Sequence, residues 1–336
     1  MDLRTTYLGL ELAHPIVASA SPLCAELDGI MRLADAGAAA VVLSSIFEEQ
    51  IVAQELAEAA MTEMVTDSQP EAAGYWPPDA GSNVLDGRLE TLRRAVERAR
   101  VPIIASLNGC SASGWVDFAR KLEQAGASAI ELNIYRVPAD PAESGPSVEA
   151  AALEILRRVK AAVGVPVSVK MAPFFSAPGH MAAQFAEAGA DGLVLFNRFY
   201  GPDVDLAALT ARDDLHLSSP YDIRLPLMWV GLLSRRIPTS IAASTGVWSG
   251  ADVVKYLLAG ADAVMTTSAL LRHGPAYLGT LLGELRGWME RRGHESVAAF
   301  KGQLAAGGQP DEAAQFLRAQ YRTILTTYDA QSASRL

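Results

Sequence analysis

The sequence is poor in cysteine and contains no long apolar run. Cys24 and Cys110 are the two cysteines among 336 residues, too few for a disulfide framework or an iron–sulfur cluster. No stretch approaches the about 18 apolar residues of a membrane span. The N-terminal segment MDLRTTYLGLELAHP also has no apolar signal-peptide core. These absences predict a soluble, cytoplasmic protein in a reducing compartment, with no membrane partner.

Basic residues are in the minority. The chain has 28 Lys and Arg against 38 Asp and Glu, which gives a net charge of −10 at pH 7 with neutral His. Nucleic-acid binders carry basic patches, so this balance argues against a nucleic-acid partner. Half of the residues are apolar and 20% are charged, a composition typical of a folded domain rather than a disordered chain.

The chain alternates short β-rich runs with helical stretches. Each run is apolar nearly throughout, as in parallel strands that are covered on both faces. The runs cover residues 15–21, 39–46, 102–109, 128–135, 166–173, 192–199, 240–246 and 263–269. Eight strands with intervening helices predict a (β/α)8 TIM barrel over residues 1–292, with a doubly wound open sheet as the alternative.

Helices and two long connections complete this prediction. The predicted helices are 27–36, 85–100, 114–125, 148–163, 179–188, 226–236, 250–259 and 270–292. Long loops follow strand two (47–100) and strand six (200–236). Both leave the strand ends where barrel active sites lie, which makes them candidates for lids or for substrate specificity. Residues 293–336 are predicted to form a helical C-terminal extension with a frayed end.

Amides, hydroxyls, one lysine and one arginine lie at the predicted strand ends, where the chemistry of a barrel is located. Carboxylates, histidines and clustered metal ligands are missing from this set, so metal-assisted hydrolysis and glycoside hydrolysis are poorly supported and no metal site is predicted. The set consists of Ser19, Ser21, Ser44, Asn108, Asn133, Lys170, Asn197, Arg198, Ser244, Thr245, Gly246, Thr267 and Ser268.

The ends of strands seven and eight have the composition of a phosphate site. Ser244, Thr245 and Gly246 end strand seven, and Thr267 and Ser268 end strand eight. Barrels frequently bind phosphate with the loops after these two strands. Glycine allows close backbone approach and the hydroxyls add donors, although the same residues also build ordinary turns.

Lys170 interrupts the otherwise apolar strand PVSVKMAP and is expected to point into the barrel mouth. A buried lysine needs an anionic partner or a function. One function is to stabilise the charge that develops on a reduced flavin ring. The alternatives are a Schiff-base lysine of an aldolase and a structural lysine that is satisfied at the strand end.

Several segments together resemble the dihydroorotate dehydrogenases. These segments are LELAHPIVASASP, IELN, PVSVKMAP, LSSPYDIRLPL and STGVWSGADVVKYLLAGADAVMTTSALLRHGP, and they keep the family's order from about residue 3 to 290. The resemblance implies an FMN-dependent oxidoreductase that acts on CH–CH groups, as in the oxidation of dihydroorotate to orotate in pyrimidine biosynthesis. It also implies a homodimer. The electron acceptor is not indicated by any motif.

The resemblance also implies roles for individual residues. Lys170 would contact the isoalloxazine ring, and Asn133 and Asn197 would face flavin or substrate, with Asn83 and Arg198 as further substrate-binding candidates. The implied FMN contacts are Ala18, Ser19, Ser44, Asn108, Asn133, Lys170, Asn197, Ser244, Thr245, Gly246, Thr267 and Ser268.

The substrate half of the motif departs from the family. The family reads N-x-x-C-P-N or N-x-S-x-P-N after strand four, with Cys or Ser as the base, whereas here Arg136 stands at the Cys position and Pro138 at the second Asn. A guanidinium is not deprotonated in proteins, so Arg136 cannot replace that base. The family's lysine after strand two is replaced by Ser44, and Arg198 stands where the family has Thr or Ser.

These departures leave the acid/base and the substrate open. The candidate catalytic residues are Lys170, Arg136, Tyr135 and Cys110. Of these, Tyr135 and Cys110 are candidate acid/base residues, with Cys24 as a further one. Arg136 and Arg198 would bind an anionic substrate or point to solvent. The alternatives to a dihydroorotate-type reaction are a flavin enzyme with another unsaturated substrate, a non-catalytic flavoprotein subunit for electron transfer or regulation, and a phosphate-binding aldolase.

Overall fold

A computed structural model describes residues 1–47, 49, 84–109, 112–199, 201–212 and 215–307. Eight barrel strands lie within these ranges, and each overlaps one of the predicted β-rich runs. In barrel order they are Ile16–Ala18, Val41–Val42 with Ile46–Phe47, Ile103–Asn108, Ala129–Asn133, Val167–Met171, Gly192–Leu195, Ser240–Ala243 and Ala263–Thr266. The predicted (β/α)8 barrel is therefore confirmed.

The sheet is parallel and closes on itself. Barrel strand eight pairs with strand one, and strand one pairs with strand two at Ala18 and Val41. Strand two is interrupted between Val42 and Ile46, yet both of its segments pair with strand three. Because consecutive strands are all parallel, their C-terminal ends gather at one mouth of the barrel.

The helices surround the barrel close to their predicted positions. They are Leu27–Asp35, Val84–Arg98, Ala112–Gln124, Gly145–Ala162, Pro178–Glu187, Arg224–Leu233, Gly250–Ala259, Ser268–His273 and Tyr277–Arg292. The last predicted helix, 270–292, is divided in two. Gly274 has a φ of +81° and is followed by Pro275; a glycine with positive φ before a proline ends a helix.

An N-terminal hairpin closes the opposite end of the barrel, which the sequence did not predict. Thr5–Tyr7 pairs antiparallel with Leu10–Leu12. Tyr7 and Leu8 at its turn are buried and pack with inward-facing strand residues such as Val17 and Val194. The barrel is thus a packed core at this end.

The predicted loops after strands two and six and the predicted C-terminal extension are only partly within the described ranges, and residues 50–83 of the first loop lie outside them. After strand six, Asp203–Asp205 and Thr210–Arg212 form an exposed hairpin. Residues 293–307 form turns that return to the N-terminus, where Asp2 bridges to Ser296. The rest of the predicted extension lies outside the described residues. None of the helices in the described ranges has the length and apolar character to cross a bilayer.

Candidate active site

A cleft of about 180 Å³ opens at the C-terminal mouth of the barrel. Its walls come from the ends of barrel strands and from the loops that follow them, as expected for a barrel active site. The described lining residues are Ser19, Ala20, Ser45, Asn133, Lys170, Phe196, Asn197, Arg198, Leu217, Ser218, Ser244, Thr245, Gly246, Val247, Met265, Thr266, Thr267, Ser268 and Leu271.

Three predicted residues meet at one side of this cleft. Asn133 and Lys170 are direct partners in the register between barrel strands four and five. The Asn197 Nδ2 donates to Asn133 Oδ1 at 2.6 Å, which joins the ends of strands four and six across strand five. The result is a cation flanked by two amides, a set of donors and acceptors suited to the polar edge of a planar ring.

A carboxylate that the strand-end analysis missed lies behind Lys170. Glu131 is completely buried in barrel strand four, and its Oε1 is 3.4 Å from Lys170 Nζ. Lys170 itself is 9% exposed. The signal was available in IELN, because Glu131 and Asn133 are two residues apart on a strand and therefore share the inward face. The buried lysine accordingly has an anionic partner within the protein.

The turn after strand seven has a tightly constrained backbone. Thr245 and Gly246 both have left-handed φ values, +79° and +73°. A Cβ on Gly246 would lie 2.5 Å from the backbone nitrogen of Ile223, so no larger residue fits without movement. The buried Tyr256 hydroxyl lies 2.9 Å from the Ser244 carbonyl and 2.7 Å from the Thr245 carbonyl. These contacts hold the turn against the cleft.

Ser218, from the long loop after strand six, joins the two phosphate-loop candidates and was not singled out from the sequence. Its hydroxyl lies 2.8 Å from the Ser268 hydroxyl and accepts from the Gly246 N–H at 3.4 Å. The Trp248 indole N–H donates to the Ser218 carbonyl at 2.8 Å. Hydroxyls and backbone N–H groups from three loops therefore converge at this end of the cleft.

The nearby helix Gly250–Ala259 does not offer its N-terminus to a phosphate. The Asp252 side chain accepts from the Ser249 backbone and hydroxyl, and Ser249 in turn accepts from the Asp252 N–H. The Glu284 carboxylate accepts from the Gly250 N–H at 2.5 Å. Carboxylates already satisfy these donors and would repel a phosphate. A phosphate would thus have to be held by the loops themselves.

Arg136 and Tyr135 were predicted as catalytic residues, but neither is among the described residues that line the cleft. Arg136 is half exposed, and its guanidinium pairs with Glu143 at 2.8 Å. The Tyr135 ring stacks on Phe199 with 4.4 Å between ring centroids. Phe174 contacts the same Phe199 ring edge-on at 4.7 Å. The segment after strand four therefore forms an ion pair and an aromatic cluster.

Other predicted cofactor contacts also lie apart from the cleft lining. Ser44 lines a separate small cavity beside Cys24, and its neighbour Ser45 lines the cleft instead. The break in strand two at this point upsets the alternation that would have indicated which serine faces inward. Ala18 and Asn108 are buried at their strand ends but are not among the lining residues, whereas Ser19, next to Ala18, is.

The remaining candidates divide between the cleft and the undescribed part of the chain. Arg198 lines the cleft and donates a hydrogen bond to the His216 carbonyl. Asn83 and Cys110 lie outside the described residues. Cys24 is buried with its thiol near Ser21, and burial raises the pKa of this thiol to about 11. Cys24 is therefore protonated at neutral pH and is a poor base.

Comparison with known proteins gives a consistent assignment. A family model described as dihydroorotate dehydrogenase matches residues 2–289. The catalytic subunit of dihydroorotate dehydrogenase B (NAD(+)) from Halalkalibacterium halodurans is 31% identical over 66% of this chain and 72% of its own. The subunit of that name from Methanothermobacter thermautotrophicus is 28% identical over 89% and 97%. A putative dihydroorotate dehydrogenase A (fumarate) from Aeropyrum pernix is 30% identical over 63% and 70%.

The family match spans nearly the whole barrel, including the strand ends that build the cleft. The order of the motifs along the chain is also the order in which the strands surround the mouth. The chain is therefore an oxidoreductase that acts on CH–CH groups and belongs to the dihydroorotate dehydrogenase family.

Proposed function

We propose that this oxidoreductase binds FMN in the cleft and uses it to oxidise or reduce a small substrate that differs from dihydroorotate. The observation that carries the proposal is the convergence of Lys170, Asn133 and Asn197 on one side of the cleft, with the loops of strands seven and eight on the other. FMN has a polar ring at one end and a phosphate at the other, so a cleft with these two groups of donors suits both ends of the molecule.

The donor set fits the two ends of FMN separately. Lys170 and the two amides would hold the polar edge of the ring, while Ser218, Ser268 and the Gly246 N–H would hold the phosphate. The missing side chain of Gly246 lets the turn pack closely against the Ile223 backbone, which holds the Gly246 N–H beside Ser218. When bound, FMN supplies a hydride acceptor, and its reduction places charge where a cation stabilises it.

The segment after strand four supports a substrate other than dihydroorotate. Arg136 occupies the family's base position by resemblance, and it pairs with Glu143 rather than lining the cleft. Proton removal by a general base is typically worth about 10²–10⁴ in rate. Pro138 has no amide with which to replace the family's second asparagine. Both changes reduce the fit to dihydroorotate.

The first experiment is the absorbance spectrum of the purified protein, followed by titration of the flavin-free protein with FMN and with riboflavin. FMN should bind at least tenfold more tightly than riboflavin, because riboflavin lacks the phosphate that the loops would hold. Protein that takes up neither compound would refute the flavin proposal. In that case, borohydride trapping of a carbonyl compound on Lys170 would favour the aldolase alternative.

The second experiment tests the substrate. Anaerobic stopped-flow mixing of the FMN-loaded protein with dihydroorotate, monitored at the visible flavin maximum, should show slow bleaching or none. Rapid and saturable bleaching would contradict the altered pocket and would require a base among the residues outside the described cleft lining, such as Cys110.

A further inference from the structure

Glu131 is a buried charge that the proposed chemistry does not yet use. Its side chain is completely buried in barrel strand four, and Oε1 lies 3.4 Å from Lys170 Nζ. Its other oxygen, Oε2, has no hydrogen-bond partner among the described residues. A carboxylate that serves only to stabilise a fold normally has its hydrogen bonds satisfied, because an unsatisfied buried acceptor costs free energy.

The surroundings of Glu131 make Lys170 its nearest compensating charge. Ser168 faces Glu131 in the register of strand five, and Lys170 follows two residues later on the same inward face. Tyr7 from the N-terminal hairpin lies deeper in the barrel, on the side away from the cleft. Its pKa is raised, first by burial and then by the negative charge of Glu131. The ammonium of Lys170 thus lies between a buried carboxylate on one side and the open cleft on the other.

We propose that Glu131 is a positioning residue that acts on the flavin through Lys170, an inference that rests on the proposed FMN site. The ion pair holds Nζ at the mouth of the barrel, and the carboxylate offsets part of the positive field that Lys170 exerts on the flavin ring. Charge interactions are strong in such a poorly hydrated interior, so the offset is large enough to measure.

The test is a double-variant cycle on the reduction potential of bound FMN. Glu131→Gln keeps the size of the side chain but removes its charge, so the field of Lys170 acts unopposed on the ring. The equilibrium constant for reduction by a reference dye should rise at least tenfold, which for a two-electron couple is about 30 mV. Lys170→Met should lower the same constant. Glu131→Gln should give a smaller shift in the Lys170→Met background, because only the field of the carboxylate itself is removed there and no ammonium is released toward the ring.

Two further variants complete the design. Lys160→Met is the matched control, because Lys160 pairs with Asp191 at 2.6 Å before strand six, at the end of the barrel away from the cleft. It should leave the potential of FMN unchanged. Glu131→Asp retains the charge and should give a potential closer to that of the unmodified protein than Glu131→Gln does. The proposal is wrong if Glu131→Gln gives no shift, a negative shift, or the same shift in both backgrounds.

A second measurement separates this inference from the proposal of FMN binding. Thermal unfolding of the flavin-free protein tests the coupling between Glu131 and Lys170 directly. Each single variant leaves one buried charge without its partner, so both should unfold at lower temperatures than the double variant. If the unmodified protein binds no FMN, the proposal of FMN binding fails. The unfolding measurements on the single and double variants still report whether Glu131 and Lys170 are coupled. If the losses of stability of the two single variants add up to the loss of the double variant, the pair is not coupled and the inference fails.

Discussion

Replacing Gly246 by alanine should damage the turn after strand seven far more than the same change at Gly293. The two glycines have nearly the same φ, +73° and +71°. Their surroundings differ. A Cβ at Gly246 would lie 2.5 Å from the nitrogen of Ile223 and 2.9 Å from its Cα, whereas nothing lies within 4 Å of a Cβ at Gly293. Gly293→Ala therefore controls for backbone strain alone.

The expected losses of stability follow from two effects, the cost of a positive φ and the overlap of the new Cβ with Ile223. A left-handed conformation costs an L-residue roughly 1–2 kcal/mol, part of which is offset because alanine has less freedom than glycine in the unfolded chain. Gly293→Ala should therefore lower the free energy of unfolding by about 1 kcal/mol. Gly246→Ala adds an overlap with backbone atoms that cannot rotate away, and overpacking typically costs a further 1–3 kcal/mol or so.

The assay is urea unfolding of both variants beside the unmodified protein, followed by FMN titration of the folded states. Gly246→Ala should be the less stable variant and should also bind FMN more weakly, because Ile223 must shift at the edge of the turn. Equal stability of the two variants would show that the segment around Ile223 yields freely, and the close contact would then have no role in shaping the cleft.

Three further outcomes are expected. Tyr256→Phe should lower the free energy of unfolding by about 1–3 kcal/mol, because the Ser244 and Thr245 carbonyls lose the hydroxyl that they share. Tyr277→Phe removes a bond to the Trp248 carbonyl alone and should cost less in the same urea assay. Burial lowers the pKa of His14, so below about pH 6.5 the unfolded chain binds more protons than the folded protein does. The free energy of unfolding should therefore fall as the pH drops below that value. The fall should be less steep in His14→Gln. In Cys110→Ser protein, Cys24 should react with a thiol reagent at pH 8 only after unfolding, because burial raises its pKa to about 11; rapid labelling of the native state would contradict this burial.

The barrel was predictable because its signals are local. A parallel strand covered on both faces is apolar along nearly its whole length, and each run found this way overlaps a barrel strand. The boundaries were less accurate at the C-terminal ends, where runs such as 166–173 continue beyond the strand Val167–Met171. The residues of a run that lie past the end of its strand lead into the following loop. Apolar composition alone does not reveal where hydrogen bonding to the neighbouring strand stops.

The N-terminal hairpin escaped the sequence analysis because its role depends on distant residues. Thr5–Tyr7 and Leu10–Leu12 are only three residues each, too short for a periodic pattern. Their value lies in delivering Tyr7 and Leu8 to the interior of a barrel that the rest of the chain must first build. Such a contact has no local signature.

The sequence indicated which residues lie near the strand ends, but it did not always indicate which way their side chains point. Asn133 and Lys170 line the cleft because each lies on an uninterrupted strand, where alternation fixes the inward face. Asn197 lies two residues beyond strand six and is held at the cleft by its hydrogen bond to Asn133. Arg136 and Tyr135 lie beyond the last paired residue of strand four, where no such rule applies. Their orientation is decided instead by partners from elsewhere, Glu143 for the arginine and Phe199 for the tyrosine.

The same reasoning explains why a carboxylate was missed in a site that looked free of carboxylates. The strand-end analysis ended at Asn133, but the alternation continues one step deeper to Glu131, which is on the same inward face. A lysine as buried as Lys170 already required a negative partner somewhere in the interior. Combining the two rules would have identified Glu131 from the sequence, since the neighbouring inward positions of strand five are occupied by Ser168 and by Lys170 itself. A buried lysine therefore predicts a buried carboxylate at a nearby inward-facing position, which the hydrophobic pattern alone does not predict.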